Sequence, residues 1–331
     1  MSATKVERSE APGWLVAVSL LAVYVIWGTT YFAIKIAIQG APPFLLMGSR
    51  FLVAGFLLLA WQGLRRRAMP TARQWRGAAL IGFLLLVIGN GSVAVAEHWV
   101  SSGATVALIS VMPLATALWS GAFGVWPRRL EWAAIALGAV GAAVMLLGRD
   151  MQASLLGTVI ILFGTSSWAL GTVLSRRVDI PRGPTGFGAE MLSAGLMMLG
   201  VSALIGEHWA VPHSPHVVGA WLYLVVFGSM IGFSAYRYVV EHVSPMLAST
   251  YAYVNPPVAL LVGWWLGNES FALNTLVGLP VVLGAVALLA WIQARDAQRP
   301  AAGGSTASVA GGDASVRGPA TLEPLPDCQR R

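Results

Sequence analysis

Two charged side chains, Arg50 and Glu190, stand inside long apolar runs, Arg50 about seven residues from the start of its run. At 1.5 Å per residue that is roughly 10 Å deep in a membrane helix, where a charge costs about 2.5–3.5 kcal/mol even on insertion scales. Something must offset each of them. One chemistry is recognition: Arg50 attracts an anionic solute group or gates an outer mouth, and Glu190 binds a proton or cation on the inner side. The other is packing, with both side chains bonded to backbone carbonyls of neighbouring helices. The two charges fall near opposite membrane faces, so direct pairing between them is not expected.

Amphipathic side chains cluster in the same runs. Tyr251 and Asn255 share a helix face at i, i+4 spacing, with Tyr253 and Ser249 as an adjoining stripe. Asn90, Trp27 and Trp168 are expected to complete a cavity wall suited to an aromatic or zwitterionic solute, although tryptophan near a helix end also serves as an interface anchor. Pro113 and Pro256 are helix-break candidates. Each removes a backbone donor and disturbs the carbonyl four residues earlier, here Ile109 and Ala252. Freed carbonyls at membrane depth are tolerated only against protein or cavity water, and paired interruptions point to a solute site; a packing kink is the alternative.

Glu97 with His98, and Glu241 with His242, lie at helix exits, where histidine's titration near neutrality makes proton coupling or gating conceivable; solvated loop starts are the plainer reading. Arg237 is expected to snorkel to the inner surface. His208, His213 and His216 have no cysteine or carboxylate cluster beside them, so a solvated loop is expected and no metal site. The sequence holds no phosphate-binding glycine loop, HExxH or nucleophile elbow. No cofactor and no enzymatic activity are expected.

The elements that position these residues follow from composition. Of 331 residues, 56% are hydrophobic and 11% charged, with net charge +7, against about 25% charged in soluble chains. Too few charges remain to cover a water-facing surface, so lipid is the expected surroundings. The basic residues form short clusters between apolar runs and no continuous face, which excludes a nucleic-acid partner. The lone Cys328 permits no disulfide framework.

A bilayer core needs about 20 apolar residues per helix. Ten such intervals occur, at 13–34, 43–63, 75–96, 102–124, 130–148, 154–175, 186–206, 217–239, 246–267 and 272–292. The first is too long for a cleaved signal. Arg65 to Arg76, Arg128, Arg129, Arg176, Arg177, Arg182 and Arg295 all fall on the side of the N-terminus, and only Lys35 and Arg149 on the other. By the positive-inside rule both termini are cytoplasmic: 1–12 as a short N-terminal segment, 296–331 as a Gly-, Ala- and Ser-rich tail too polar to order itself.

An internal repeat organises the ten. Met47–Leu59 (MGSRFLVAGFLLL) matches Phe187–Leu199 (FGAEMLSAGLMML), and Ile88–Ser102 matches Ile231–Pro245 after a one-residue gap. Five helices per unit force the second unit upside down. The basic loop from Arg65 to Arg76 accordingly corresponds to 207–216, which has no lysine or arginine. The expected fold is therefore an all-α integral membrane protein of ten transmembrane helices, as two inverted five-helix repeats at 13–148 and 154–292. Inverted repeats recur in secondary transporters, with the solute site between the halves.

Four segments carry a resemblance: IWGTTYFAIKIAI, PPFLLMGSRFLVAG, GNGSVAVAEHWVSSG and SPMLASTYAYVNPPVALLVG. They resemble the EamA branch of the drug/metabolite transporter superfamily, in particular its YedA-type inner-membrane exporters. The resemblance implies a multi-pass inner-membrane protein that exports small metabolites or drugs by alternating access, with protons as a candidate coupling ion and the lipid bilayer as its surroundings. EamA repeats commonly carry Gly-Glu after the proline-containing helix. Here the second unit has Gly267, Asn268 and Glu269, whereas the first has Val125, Trp126 and Pro127, which weakens any role requiring both acids. An accessory membrane subunit and a membrane-embedded enzyme are the competing classes.

Overall fold

Long apolar runs broken by proline, glycine and arginine can satisfy their backbones in lipid only by folding as helices, and the computed structural model is built of them. It describes residues 12–96, 98–100, 102–146, 154–208, 214–267 and 273–297, all in one unit that ends at Ala297. Among the described residues the regular elements are all helices: α1 (Gly13–Ala37), α2 (Pro43–Leu64), α3 (Ala72–Ala96), α4 (Ser102–Ile109), α5 (Met112–Ala122), α6 (Arg129–Leu146), α7 (Leu155–Leu174), α8 (Pro184–Leu204), α9 (Pro215–His242), α10 (Pro245–Ala248), α11 (Tyr251–Gly267) and α12 (Leu273–Ala297).

Each of the ten expected intervals holds helix, but among the described residues seven helices are each long and apolar enough to cross a bilayer: α1, α2, α3, α7, α8, α9 and residues Leu276–Arg295 of α12. Two of the other intervals are interrupted. The fourth splits between α4 and α5 at Ser110 and Val111, and the ninth between α10 and α11 at Ser249 and Thr250. The remaining one, α6, runs to the edge of the described residues.

The longest helix contact joins α2 to α8. Contacts run in opposite senses along the two chains, from Gly48 against Leu199 through Gly55 against Leu192 to a Gln62–Thr185 hydrogen bond of 3.2 Å, so the helices are antiparallel. Small residues make the approach possible: a Cβ on Gly55 would stand 2.5 Å from the Leu192 nitrogen, and one on Gly195 2.5 Å from that of Leu52. Glu207 ties the same pair at one end, its carboxylate accepting from the Phe44 and Leu45 amides at the start of α2 (3.1 and 2.8 Å). That uses orphan donors at a helix N-terminus.

Outward faces stay apolar, with Leu21, Phe56, Leu155 and Phe163 each more than half exposed. Lipid can cover such a surface and water cannot. Inside, α3 and α9 each contain a π-helical stretch, Phe83–Asn90 and Leu224–Ile231. π-turns shift the side chains that follow them and cluster at functional sites. Here the first stretch delivers Gly89 and Asn90 to a cavity, and Phe233 of the same cavity follows the second by two residues.

Candidate functional site

Four stripes converge on that cavity. From α1 come Trp27, Thr30, Tyr31 and Ile34, at the i, i+3, i+4, i+7 spacing of one helix face; α3 supplies Gly89, Asn90 and Val93; α7 supplies Gly164, Thr165 and Trp168; and α2 supplies Arg50. Ile109, Met112, Phe233 and Tyr251 form the remaining walls, and the empty space, its open mouth included, amounts to ≈ 570 Å³.

Arg50 is 2% exposed. Its Nε donates to the Ser229 hydroxyl at 2.7 Å, its Nη1 meets the Met47 sulfur at 3.6 Å, and its guanidinium carbon lies 4.8 Å from the Phe51 ring centre. Among the described residues no carboxylate pairs with it. The side chain fits because position 228 is glycine: a Cβ there would stand 3.0 Å from Nη2.

An aromatic layer closes one end of the cavity. Trp27 is its hub, with ring centres at 4.9 Å to Phe233, Tyr236 and Tyr251 and at 5.5 Å to Trp168. The Trp27 indole donates to the Gly228 carbonyl at 3.3 Å. The Trp168 indole donates to the Tyr236 hydroxyl at 3.1 Å, and that hydroxyl also bonds Thr172 at 2.6 Å. Both indole N–H groups are thus engaged within the protein, and the two tryptophans offer rings to the cavity.

Beyond the layer lies a smaller cavity of ≈ 290 Å³, lined by Thr172, Ser175, Glu190, Tyr236 and Arg237 among others, and Phe233 borders both spaces. Here Arg237 Nη1 donates to Glu190 at 3.2 Å and its Nε to Glu241 at 3.0 Å. Arg237 is buried, which overturns the expectation that it snorkels: two carboxylates hold its charge inside. Glu190, as expected, has its own partner and does not pair with Arg50.

Other expected residues are dispersed. Tyr253 turns from the cavity and donates from its hydroxyl to the Ile135 carbonyl of α6 at 2.7 Å. Asn255 is 1% exposed, does not border the cavity, and its amide has no partner among the described residues. Pro113 sits in the first turn of α5, just after the interruption, where its missing N–H costs nothing. Pro256 does not break a helix: α11 continues through it, and the Ala252 carbonyl accepts from the Ser110 hydroxyl at 3.2 Å. The break falls earlier, at Ser249 and Thr250. His98 and His242 are exposed and bond local carbonyls, those of Val95 and Tyr238. Glu97, His213, Asn268 and Glu269 lie outside the described residues. No group of three potential metal ligands occurs among the described residues.

Helical spacing from Trp27 would have found Thr30 and Tyr31, and the i, i+4 relation of Arg237 to Glu241 was visible. Phe233 had no signal beyond its place in the repeat, and Ser229 had none.

Membrane-length helices around a central cavity that holds a buried cation define, as a class, a polytopic helical membrane protein. Residues 14–147 and 155–291 match the EamA-like transporter family, and the chain belongs to that family, within the drug/metabolite transporter superfamily. The uncharacterized inner membrane transporter YedA of Escherichia coli is 42% identical over 272 residues, 82% of this chain and 89% of its own. A chloroplastic WAT1-related protein of Arabidopsis thaliana is 28% identical over 295 residues, 84% and 70% of the two chains, and protein PecM of Dickeya dadantii is 26% identical over 273 residues, 80% and 88%. A solved crystal structure aligns with TM-score 0.70 over 85% of this chain and 98% of its own at 18% identity, which speaks to fold alone.

Proposed function

We propose that this protein is an inner-membrane secondary transporter that exports small organic solutes by alternating access through the Arg50 cavity. One observation carries the reading: both family-matched halves build that cavity, with Trp27, Arg50 and Asn90 from the first and Trp168, Phe233 and Tyr251 from the second. A site shared by two halves changes access when the halves rock against each other.

In this reading the chain crosses the membrane ten times as two inverted repeats, 13–148 and 154–292, with both termini cytoplasmic. The antiparallel run of α2 against α8 and the matching π-helical stretches of α3 and α9 support the inversion. Membership of the family and the 42% identical relative, named as an inner membrane transporter, support transport and the inner membrane. The export direction rests on resemblance to exporters.

The aromatic layer around Trp27, backed by Arg237, Glu190 and Glu241, is the barrier on the inner side. Opening it parts Arg237 from at least one carboxylate. A carboxylate left alone at membrane depth is costly, and a proton taken up by Glu190 at that moment removes the charge. Coupling to protons follows from this step.

The test is flux in proteoliposomes against a panel of anionic, neutral, cationic and zwitterionic solutes, with and without a pH gradient. Solute-specific flux or counterflow supports the reading. Its absence across the whole panel overturns it in favour of an accessory membrane subunit.

A further inference from the structure

Among the described residues two arginines, Arg50 and Arg237, are buried in the helical core, and they are held differently. Arg237 is held by two carboxylates, at 3.2 and 3.0 Å. Arg50, no less buried, has one hydroxyl and one thioether sulfur for its five N–H donors. A thioether is a weak acceptor, and Nη2 and the second hydrogen of Nη1 have no protein acceptor among the described residues. Arg50 lines the cavity.

The walls sharpen the point. None of the described residues lining the cavity is acidic, and among them the guanidinium is the only formal charge. An organic cation entering there would meet like charge. An ammonium group on a zwitterion would find rings and hydroxyls but no carboxylate. With the indole N–H groups of Trp27 and Trp168 bonded to Gly228 and Tyr236, these two lining side chains offer apolar rings, and Asn90 adds an amide.

We propose that the solute of this cavity is a small organic monoanion, a carboxylate with a flat apolar body. The carboxylate takes the unmatched N–H groups of Arg50 Nη1 and Nη2, and a planar guanidinium suits such paired bonds. The body lies against Trp27 and Trp168. Ser229 and Met47 aim the guanidinium by occupying its inner donors. This assignment deepens the transport reading and rests on the same cavity, but binding tests it separately from flux.

The full chain, reconstituted in nanodiscs of phosphatidylcholine alone, is titrated with 3-phenylpropionate, benzoate and hexanoate, and in parallel with their amides, with phenethylamine and with phenylalanine, following tryptophan fluorescence. Because the wild-type protein discriminates between probes, no variant needs to fold for the answer. At least one acid is expected to bind saturably, about ten-fold or more tighter than its amide, as loss of a charge-assisted hydrogen bond predicts, with the amine weaker still. Arg50→Gln should abolish the acid-amide difference. Equal binding of acid and amide, preference for the amine or the zwitterion, or no binding of any acid overturns the proposal. Binding of acids only after anionic lipid is removed from a mixed bilayer identifies a lipid headgroup as competitor for Arg50 and still supports an anion site. Flux of amines or neutral solutes with no acid preference would overturn the anion assignment and leave the transport reading standing; acid binding without flux would do the reverse.

Discussion

Arg237 Nη1 meets Glu190 Oε1 at 3.2 Å with both side chains less than a tenth exposed, joining α9 to α8 beneath the aromatic layer. Its Nε holds Glu241 as well, so one cation serves two acids. The losses should therefore be unequal. Arg237→Gln strands two carboxylates and is expected to cost about 3–5 kcal/mol. Glu190→Gln leaves an intact Arg237–Glu241 pair and should cost much less. Thermal unfolding in detergent checks this, and equal losses for the two variants would count against the network.

The same residue separates coupling from binding. With acid outside and neutral pH inside, export driven by inward protons should speed up in wild-type proteoliposomes. Glu190→Gln should lose that dependence while keeping solute counterflow, since it does not border the Arg50 cavity. A variant that still responds fully to the gradient moves proton coupling elsewhere.

Much of this was legible in the sequence, and the reasons differ by residue. Helical intervals follow from solvent, because lipid admits little else. Arg50 and Glu190 stood out as charges in apolar runs, and both are buried. Tyr253 was misplaced, although two residues at 100° each turn it to the far side of α11 from Tyr251, which borders the cavity. Pro256 was read as a break because the effect of proline depends on whether the freed carbonyl finds a donor. Ser110, 142 residues away, supplies one. Arg237 was read as snorkelling because its distance from a helix end is local information, whereas Glu190 reaches it from another helix.

The α2–α8 contact allows a matched pair of substitutions on one helix. Gly195→Ala places a Cβ 2.5 Å from the Leu52 nitrogen, a backbone atom that cannot turn aside, whereas Gly200→Ala meets nothing within 4 Å. The first is expected to destabilise by about 1–3 kcal/mol or more through overpacking. The second should be neutral or stabilising by about 0.5–1 kcal/mol, through helix propensity. Melting temperatures of the two purified variants decide it, and similar values would mean that α2 and α8 do not approach this closely.

Gly228 permits a sharper test of the Arg50 cavity. A Cβ at that position would stand 3.0 Å from Arg50 Nη2 and 3.1 Å from Thr30 Cγ2. The guanidinium is the far end of a flexible side chain, so Gly228→Ala should move it without unfolding the protein. Ser229→Ala instead removes the acceptor for Nε at 2.7 Å and leaves a buried donor unmatched, costing about 1–3 kcal/mol. The two variants should diverge in stability but agree in function: each should weaken solute binding about ten-fold by misaiming one guanidinium. If Gly228→Ala binds and transports like the wild type while Ser229→Ala is merely less stable, Arg50 is a packing residue.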